Sequence, residues 1–337
     1  MDSFTHIVVG VCIGEAMLEK KIGKKAILWG LLAHSLPDVD FLASLWMSPT
    51  EAMLAHRGFT HSFLFAILVI PFLSLLASSL HKCHSVSWLS WHLFFGVAIA
   101  AHLFIDVFNN YGIGWLEPFS HHRFALNWLY VVDPFFTIFP FVSFLLLLFL
   151  RAHQSSRKAI ALSGLLMSFI YLCYSGMNKR YVERKIISTT AYRSLSATLS
   201  LYTTPAPMQS WLWYVMIPKD SQIYVGYVSV FDKANQITFH QYEKGNQFMS
   251  RISKQDDLLR LIRFADGYYS IQKKDGIYVF NDMRFGQVQG WSHDSAEFVF
   301  QYKFQKNTND KMMLQRGRLT GWNAAAFRSY ITRIKGQ

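Results

Sequence analysis

Four uninterrupted apolar stretches constrain this chain more than any other feature. Ser62–Leu80, Trp88–Ile105, Pro134–Leu150 and Ala159–Met177 contain no Asp, Glu, Lys or Arg. About 20 apolar residues cross the hydrocarbon core of a bilayer as a helix, and a helix satisfies its own backbone polar groups there. Two weaker segments come first. Ile7–Leu18 is short, and Ala26–Trp46 is broken by Pro37, Asp38 and Asp40. Both are expected to be helices buried against the bundle or half-spanning. No cleavable signal peptide is expected, because the N-terminus lacks a basic region and Glu15 and Glu19 interrupt its apolar run. The fold class is therefore mainly α: a membrane helical bundle of four clear spans plus two short or broken N-terminal helices.

A water-soluble part must follow. The chain has 337 residues, 52% apolar and only 16% charged, which excludes disorder over most of it. Its mean hydropathy of +0.18 is nevertheless low for a chain that is membrane throughout. Residues 1–178 carry a net charge of +1, residues 179–337 carry +11, and 11 of the 13 histidines lie in the first part. This divides the chain into a membrane-embedded domain over 1–178, a basic connector over 179–208 and a soluble α+β domain over 209–337. The basic second part is read as a solvated surface near anionic lipid; nucleic acid is not the expected partner. Cys12, Cys83 and Cys173 all lie in the apolar part and have no metal-knuckle or redox spacing, so no disulfide framework is expected.

Alternation of the spans sorts the polar residues by membrane face. If His6 starts on one face, then Asp38, Asp40, His56, His61, His102, Asp106 and Asp133 all return to it. Eight Lys and Arg residues (Lys20, Lys21, Lys24, Lys25, Lys82, Arg151, Arg157 and Lys158) fall on the other face, against Arg57 and Arg123. The positive-inside rule then puts the histidine face, and the C-terminal domain, outside the cytoplasm.

The residues on that face suit metal chemistry. His102 and Asp106 are four apart, on one side of a helix. Asp38 and Asp40 follow Pro37; a solvated turn accounts for them, and so does a metal, because carboxylates at a membrane boundary are costly unless paired. His34 precedes Asp38 by four and could share its face. His56-Arg57-Gly58-Phe59-Thr60-His61-Ser62 sets two imidazoles around an Arg, and Gly58 permits close backbone approach. Arg57 could hold a phosphate oxygen, as could Ser120 and Arg123 in Pro118-Phe119-Ser120-His121-His122-Arg123. Asp133-Pro134 either caps a helix or supplies a ligand. The metal candidates are His6, Asp40, His56, His61, His102 and Asp106, and the candidate catalytic carboxylates are Asp38, Asp40, Asp106 and Asp133. Mixed imidazole and carboxylate donors without thiolate suit zinc first, then manganese or iron. So many donors accommodate one or two ions, and two-metal sites hydrolyse phosphoesters.

Residues 1–150 carry, in order, Thr5-His6, Pro37-Asp38-Val39-Asp40, His56 through Ser62, His102-Leu103-Phe104-Ile105-Asp106, Asn110-Tyr111-Gly112, Pro118-Phe119-Ser120 with Arg123, and Asp133-Pro134. In order and spacing they resemble the YdjM/YbcI family of predicted membrane-bound metal-dependent hydrolases, also described as LexA-binding and inner-membrane-associated. The resemblance implies a multi-pass hydrolase of a bacterial-type cytoplasmic membrane, with a metal site and no particular substrate. A more distant likeness joins it to zinc-dependent phospholipase C and P1-type nucleases, which place His and Asp on helices around clustered zinc. His34 does not map onto the pattern.

In the soluble half, Thr203–Met208, containing Pro205 and Pro207, reads as a linker or turn. Strands are expected over Ile223–Phe231, Ile237–Tyr242, Tyr268–Gln272, Ile277–Asn281 and Glu297–Phe304, with a hairpin through Asp275-Gly276. Helices are expected from Ser253, as cap, through Arg263, and over Trp322–Ile334. No catalytic signature appears there, and His240 and His293 read as structural. The domain is expected to cover the site or bind a protein partner. The whole reads as a metal-dependent hydrolase acting at the bilayer, with a lipid-linked phosphoester as preferred substrate. The alternative is a non-enzymatic regulatory or protein-binding module with a structural metal. Transport is weaker, because the polar residues gather at one face instead of lining a path.

Overall fold

Short polar side chains open the helices of the first half. Asp2 accepts from the Thr5 amide ahead of α1 (Ser3–Ile22). Ser62 does the same for α4 (Phe63–Leu80), Ser87 for α5 (Trp88–Asp106) and Asp133 for α6 (Pro134–Phe149), where Pro134 takes the first position. Each cap satisfies an amide that the helix itself cannot. The computed structural model describes residues 1–81, 86–195, 200–232, 237–293, 296–304, 313–315 and 321–337. Lys82 and Cys83 lie outside the described residues; Cys12 and Cys173 are free.

Two compact units divide the chain. The first comprises Met1–Trp46 and Ala55–Tyr174, the second Met47–Leu54 and Ser175–Gln337. In the first unit, α2 (Lys25–Ser35) runs without a break into a 3-10 helix over Leu36–Leu45, where Pro37 begins the tighter turn. A short 3-10 turn, Phe59–His61, precedes α4. Trp91, Phe94, Phe95 and Ile99 of α5 are fully buried in the core, with α1, α2 and α4 packed around it. By contrast α4 turns Ile67, Leu68, Phe72 and Leu75 outward, an apolar surface suited to lipid.

The long apolar helices differ in detail from the sequence reading. Among the described residues, four are long and apolar enough to cross a membrane: Lys25–Leu45, Phe63–Leu80, Trp88–Asp106 and α7 (Ser156–Ser188). The segment broken by Pro37 is thus one of them, while Pro134–Phe149 is only 16 residues long. Helix α7 continues past residue 178, and the boundary between the units falls inside it at Tyr174.

The second unit holds two four-stranded antiparallel sheets. One has the order β1 (Tyr202–Pro205), β2 (Leu212–Lys219), β3 (Gln222–Ser229), β4 (His240–Glu243). The other has β5 (Tyr269–Lys274), β6 (Ile277–Gln287), β7 (Phe298–Phe304), β8 (Met313–Gln315). Tyr214, Met216 and Val225 of the first sheet pack with Met283 and Phe298 of the second. Most of helix α3 (Pro49–Ala55) belongs to this unit, as do a 3-10 helix over Asn246–Arg251 and the helices α8 (Thr190–Leu195), α9 (Gln255–Phe264) and α10 (Ala324–Ile334). The expected hairpin is present: Lys274 pairs with Ile277, and Asp275 and Gly276 have φ of 50° and 79°, the left-handed pair a type I′ turn requires. Two expectations are corrected. Thr203–Pro205 of the expected linker or turn belongs to strand β1, whose edge position tolerates Pro205, while Pro207 and Met208 form a turn. Ser253 does not cap α9; Lys254 occupies the cap position without a side-chain bond.

Candidate metal centre

Close approach of two helices brings the first histidines together. Gly10 and Gly14 of α1 face Gly30 of α2, so closely that a Cβ on Gly30 would lie 2.1 Å from the Gly10 carbonyl oxygen. His6 in the first turn of α1 and His34 in the last turn of α2 thereby meet, Nδ1 to Nε2, at 3.4 Å. Asp38 and Asp40 follow in the 3-10 helix, His61 ends the turn before α4, and His102 and Asp106 occupy the end of α5. Helix direction alternates, so residues up to a hundred apart in sequence share one end of the bundle.

Four donor atoms converge there. His61 Nε2 and His102 Nε2 are 3.1 Å apart. Asp38 Oδ1 lies 3.5 Å from His61 Nε2 and 3.7 Å from His102 Nε2, and Asp106 Oδ2 lies at the same two distances. Ligands bound at about 2.0–2.2 Å around a tetrahedral ion are themselves about 3.3–3.6 Å apart. All four donors lie within 4.8 Å of one another.

Their surroundings leave these atoms free for a cation. His102 Nδ1 donates to the His34 carbonyl at 2.5 Å, so its Nε2 carries the lone pair. His61 Nδ1 lies 3.1 Å from Asp40 Oδ2, so its Nε2 also points inward. Such carboxylate–imidazole contacts fix the ring of a metal-binding histidine. Asp106 Oδ1 accepts from the Met1 amino group and lies 3.2 Å from His6 Nε2. Its buried Oδ2 accepts no hydrogen bond, although Arg57 Nε lies 3.3 Å away as an ion pair. Burial lowers the pKa of the His61 imidazole, but the Asp106, Asp38 and Asp40 carboxylates outweigh it and raise it to about 9. The cluster thus favours positive charge among its donors. His61, His102 and Asp106 are wholly buried, while the Asp38 side chain is 20% exposed, so solvent meets the centre at Asp38.

His6, His34 and His102 form a second buried group of donors within 4.8 Å. His34 Nδ1 donates to the Ala98 carbonyl at 2.8 Å, and His6 stacks on His102 at 3.9 Å. Both groups draw on His102 Nε2, because its Nδ1 is engaged, so this atom serves one ion at a time.

The other expected site residues belong to neither group, apart from His6. Asp40 accepts from the Arg57 amide and the Thr60 hydroxyl and pairs with His56 Nδ1 at 2.8 Å. His56 belongs to neither donor group; it reaches Asp40 and sets its ring edge-on to His61, with centroids 6.2 Å apart. Arg57 is buried, and it donates to Asn109 Oδ1 and the Met1 carbonyl with Tyr111 under its guanidinium. Arg123 donates to the His56 carbonyl, and Ser120 Oγ accepts from the His122 amide. Asp133 accepts from the Phe135 and Phe136 amides and the Tyr171 hydroxyl. His34 and Asn109 were not among the expected site residues. Their signals were a His four before Asp38 and an amide three after Asp106.

The family model described as "YdjM inner membrane protein" matches residues 1–182, a stretch that contains every one of these donors. The chain belongs to the YdjM family. Within curated sequences, the inner membrane protein YbcI of Escherichia coli (strain K12) is 32% identical over 134 residues, 39% of this chain and 76% of YbcI. YfhP of Bacillus subtilis (strain 168) is 28% identical over 281 residues, 76% of this chain and 77% of YfhP. An alignment of that extent necessarily runs into the second unit. No solved structure matches the chain. This is a membrane protein of the YdjM family, with His and Asp clusters that could bind a metal.

Proposed function

We propose that this YdjM-family chain is a membrane-embedded metal-dependent hydrolase that cleaves a phosphoester, preferably lipid-linked. His61, His102, Asp38 and Asp106 would hold the ion. The observation that carries the reading is the convergence of four donors within 4.8 Å, the imidazole nitrogens 3.1 Å apart and each 3.5–3.7 Å from both carboxylates, with both Nδ1 atoms already engaged. Zinc fits first, manganese or iron next, since no thiolate takes part. A bound divalent ion would supply a lowered pKa for water and charge neutralisation at a phosphoryl oxygen. The chain's own residues do the rest: Asp40 holds His61 in its ring orientation, Arg57 offsets the charge of Asp106, and the exposed edge at Asp38 admits water and substrate. A location in the bacterial inner membrane follows from the family's description. The basic residues Lys20, Lys21, Lys24, Lys25, Arg151 and Lys158, at the helix ends opposite the centre in chain order, favour an extracytoplasmic site.

Four protein donors also complete a closed structural site. That feature supports the second reading, a regulatory or protein-binding module stabilised by metal. Elemental mass spectrometry of the detergent-purified protein tests the centre. One or two equivalents of a transition metal are expected, lost in His61→Ala and Asp106→Ala while both variants still insert. Metal retained in both would refute the ligand set. Release of headgroup phosphate from phosphoester lipids by the wild type, and not by Asp106→Ala, separates hydrolase from structural module.

A further inference from the structure

The second unit contains a segment borrowed from the middle of the first. Met47–Leu54 belongs to it, although the residues on either side in sequence belong to the membrane unit. Within this segment, Ser48 and Glu51 close the start of α3 on each other: Ser48 Oγ donates to Glu51 at 2.8 Å, and the Glu51 amide returns to Ser48 at 3.4 Å. Thr50 is wholly buried, and its hydroxyl donates to Asp257 Oδ1 in the first turn of α9 at 2.6 Å. The Tyr302 hydroxyl on β7 reaches the other oxygen of Asp257 at 3.4 Å. Arg260, three residues on, donates to Glu51 at 2.8 Å and lies 3.5 Å from Asp257. A hydrogen bond from the buried Thr50 and a shared guanidinium thus fasten α3 to α9.

The place of α3 in the chain gives this contact its consequence. It follows the 3-10 helix that bears Asp38 and Asp40, and it precedes His56, Arg57 and His61. Its last residue, Ala55, accepts from the Gly58 amide at 2.9 Å. Between them Arg57 adopts φ of +58°, a costly conformation for a residue with a Cβ, and its amide reaches Asp40 at 2.8 Å. Asp40 in turn holds His61. The end of α3 therefore leads straight into the turn that orients a metal-binding histidine.

We infer that the C-terminal unit is a clamp that sets the metal affinity of the membrane centre through its grip on residues 47–54. The inference rests on the metal-centre reading above. Thr50, Glu51, Asp257 and Arg260 are positioning residues. They touch no donor, and they act by fixing the span of chain between the Asp38–Asp40 and His56–His61 loops.

The test uses the full chain in detergent with zinc alone as probe, and two readouts: hydrogen exchange over residues 47–57 and zinc affinity by chelator competition. Thr50→Val removes the buried donor at nearly constant volume, and Arg260→Glu sets a further carboxylate beside Glu51 and Asp257. Both are expected to speed exchange and weaken zinc binding about tenfold, the scale of one lost buried hydrogen bond. Thr50→Ser keeps the hydroxyl and should retain wild-type affinity. Lys274→Glu, which breaks the exposed pair with Glu297, should change neither readout. Faster exchange with wild-type zinc affinity would overturn the clamp, and so would unchanged exchange. A wild type that takes up no zinc would remove the centre itself, an outcome distinct from failure of the clamp.

Discussion

Asp40 collects four donors: His56 Nδ1, the Arg57 amide, the Thr60 hydroxyl and His61 Nδ1. No oxygen of Asp40 belongs to the converging set, so its proposed part in metal binding is through His61. An amide in its place would turn an NH2 toward groups that already donate, and the His61 ring would lose its anchor. Asp40→Asn is therefore expected to weaken zinc binding about 10- to 100-fold, the usual cost of losing a partner behind a ligand, without abolishing it. Chelator competition on the purified variant measures this. A loss as complete as in Asp106→Ala would make Asp40 a ligand outright. The sequence could group Asp38, Asp40, His56 and His61 as candidates for one centre. It could not divide ligands from supports, because that depends on which oxygen faces which nitrogen, and two carboxylates within three residues look alike in a string of letters. Arg57 shows the same limit. An Arg between two histidines suggests anion binding, yet its guanidinium turns inward to Asp106 and Asn109.

Elements were legible where their signal was local. The cap at Asp133 and the Asp275-Gly276 hairpin follow from short-range chemistry, and both are present. The weak segments were weak for a reason that lies outside them. Glu15 interrupts the apolar run of α1, but both its oxygens accept from the fully buried Arg157 of α7 at 2.7–2.9 Å. Hydropathy registers the charge and not its distant partner. The glycines of α1 and α2 also lacked a local signal, though they set the spacing of His6 and His34. Small residues let helix backbones approach closely in membranes. Gly30→Leu should force α1 and α2 apart, because even a Cβ there meets the Gly10 carbonyl at 2.1 Å. The expected result is a lower melting temperature in detergent, with a loss of several kcal/mol as in strained or overpacked cores. Unchanged melting would mean that the pair does not hold the bundle as described.

At the scale of the whole molecule, the polar chemistry and the basic residues part company. The donors gather where α1 and α4 begin and α2 and α5 end, while Lys20, Lys21, Lys24, Lys25, Arg151, Arg157 and Lys158 lie at the opposite helix ends in chain order. Only part of that basic set counts for topology, since Arg157 is wholly buried against Glu15. Loop lysines and arginines near the ends of spans set orientation, and acidic residues contribute little; the surviving bias supports the proposed orientation, with the Lys20–Lys25 turn and Arg151 in the cytoplasm. The flank at Lys179, Arg180, Arg184 and Lys185 pulls the other way, but it belongs to the part of α7 that is built into the second unit, where Lys179 donates to Thr203 and Lys185 to the Asp232 carbonyl. Charges engaged by a folded domain are a weaker topological signal than free loop charges. With Cys12, Cys83 and Cys173 replaced, a cysteine at Ser120 should therefore react with a membrane-impermeant thiol reagent on intact spheroplasts, and one at Arg151 only after permeabilisation. The reverse pattern would place the metal centre, and any lipid-linked substrate, on the cytoplasmic face.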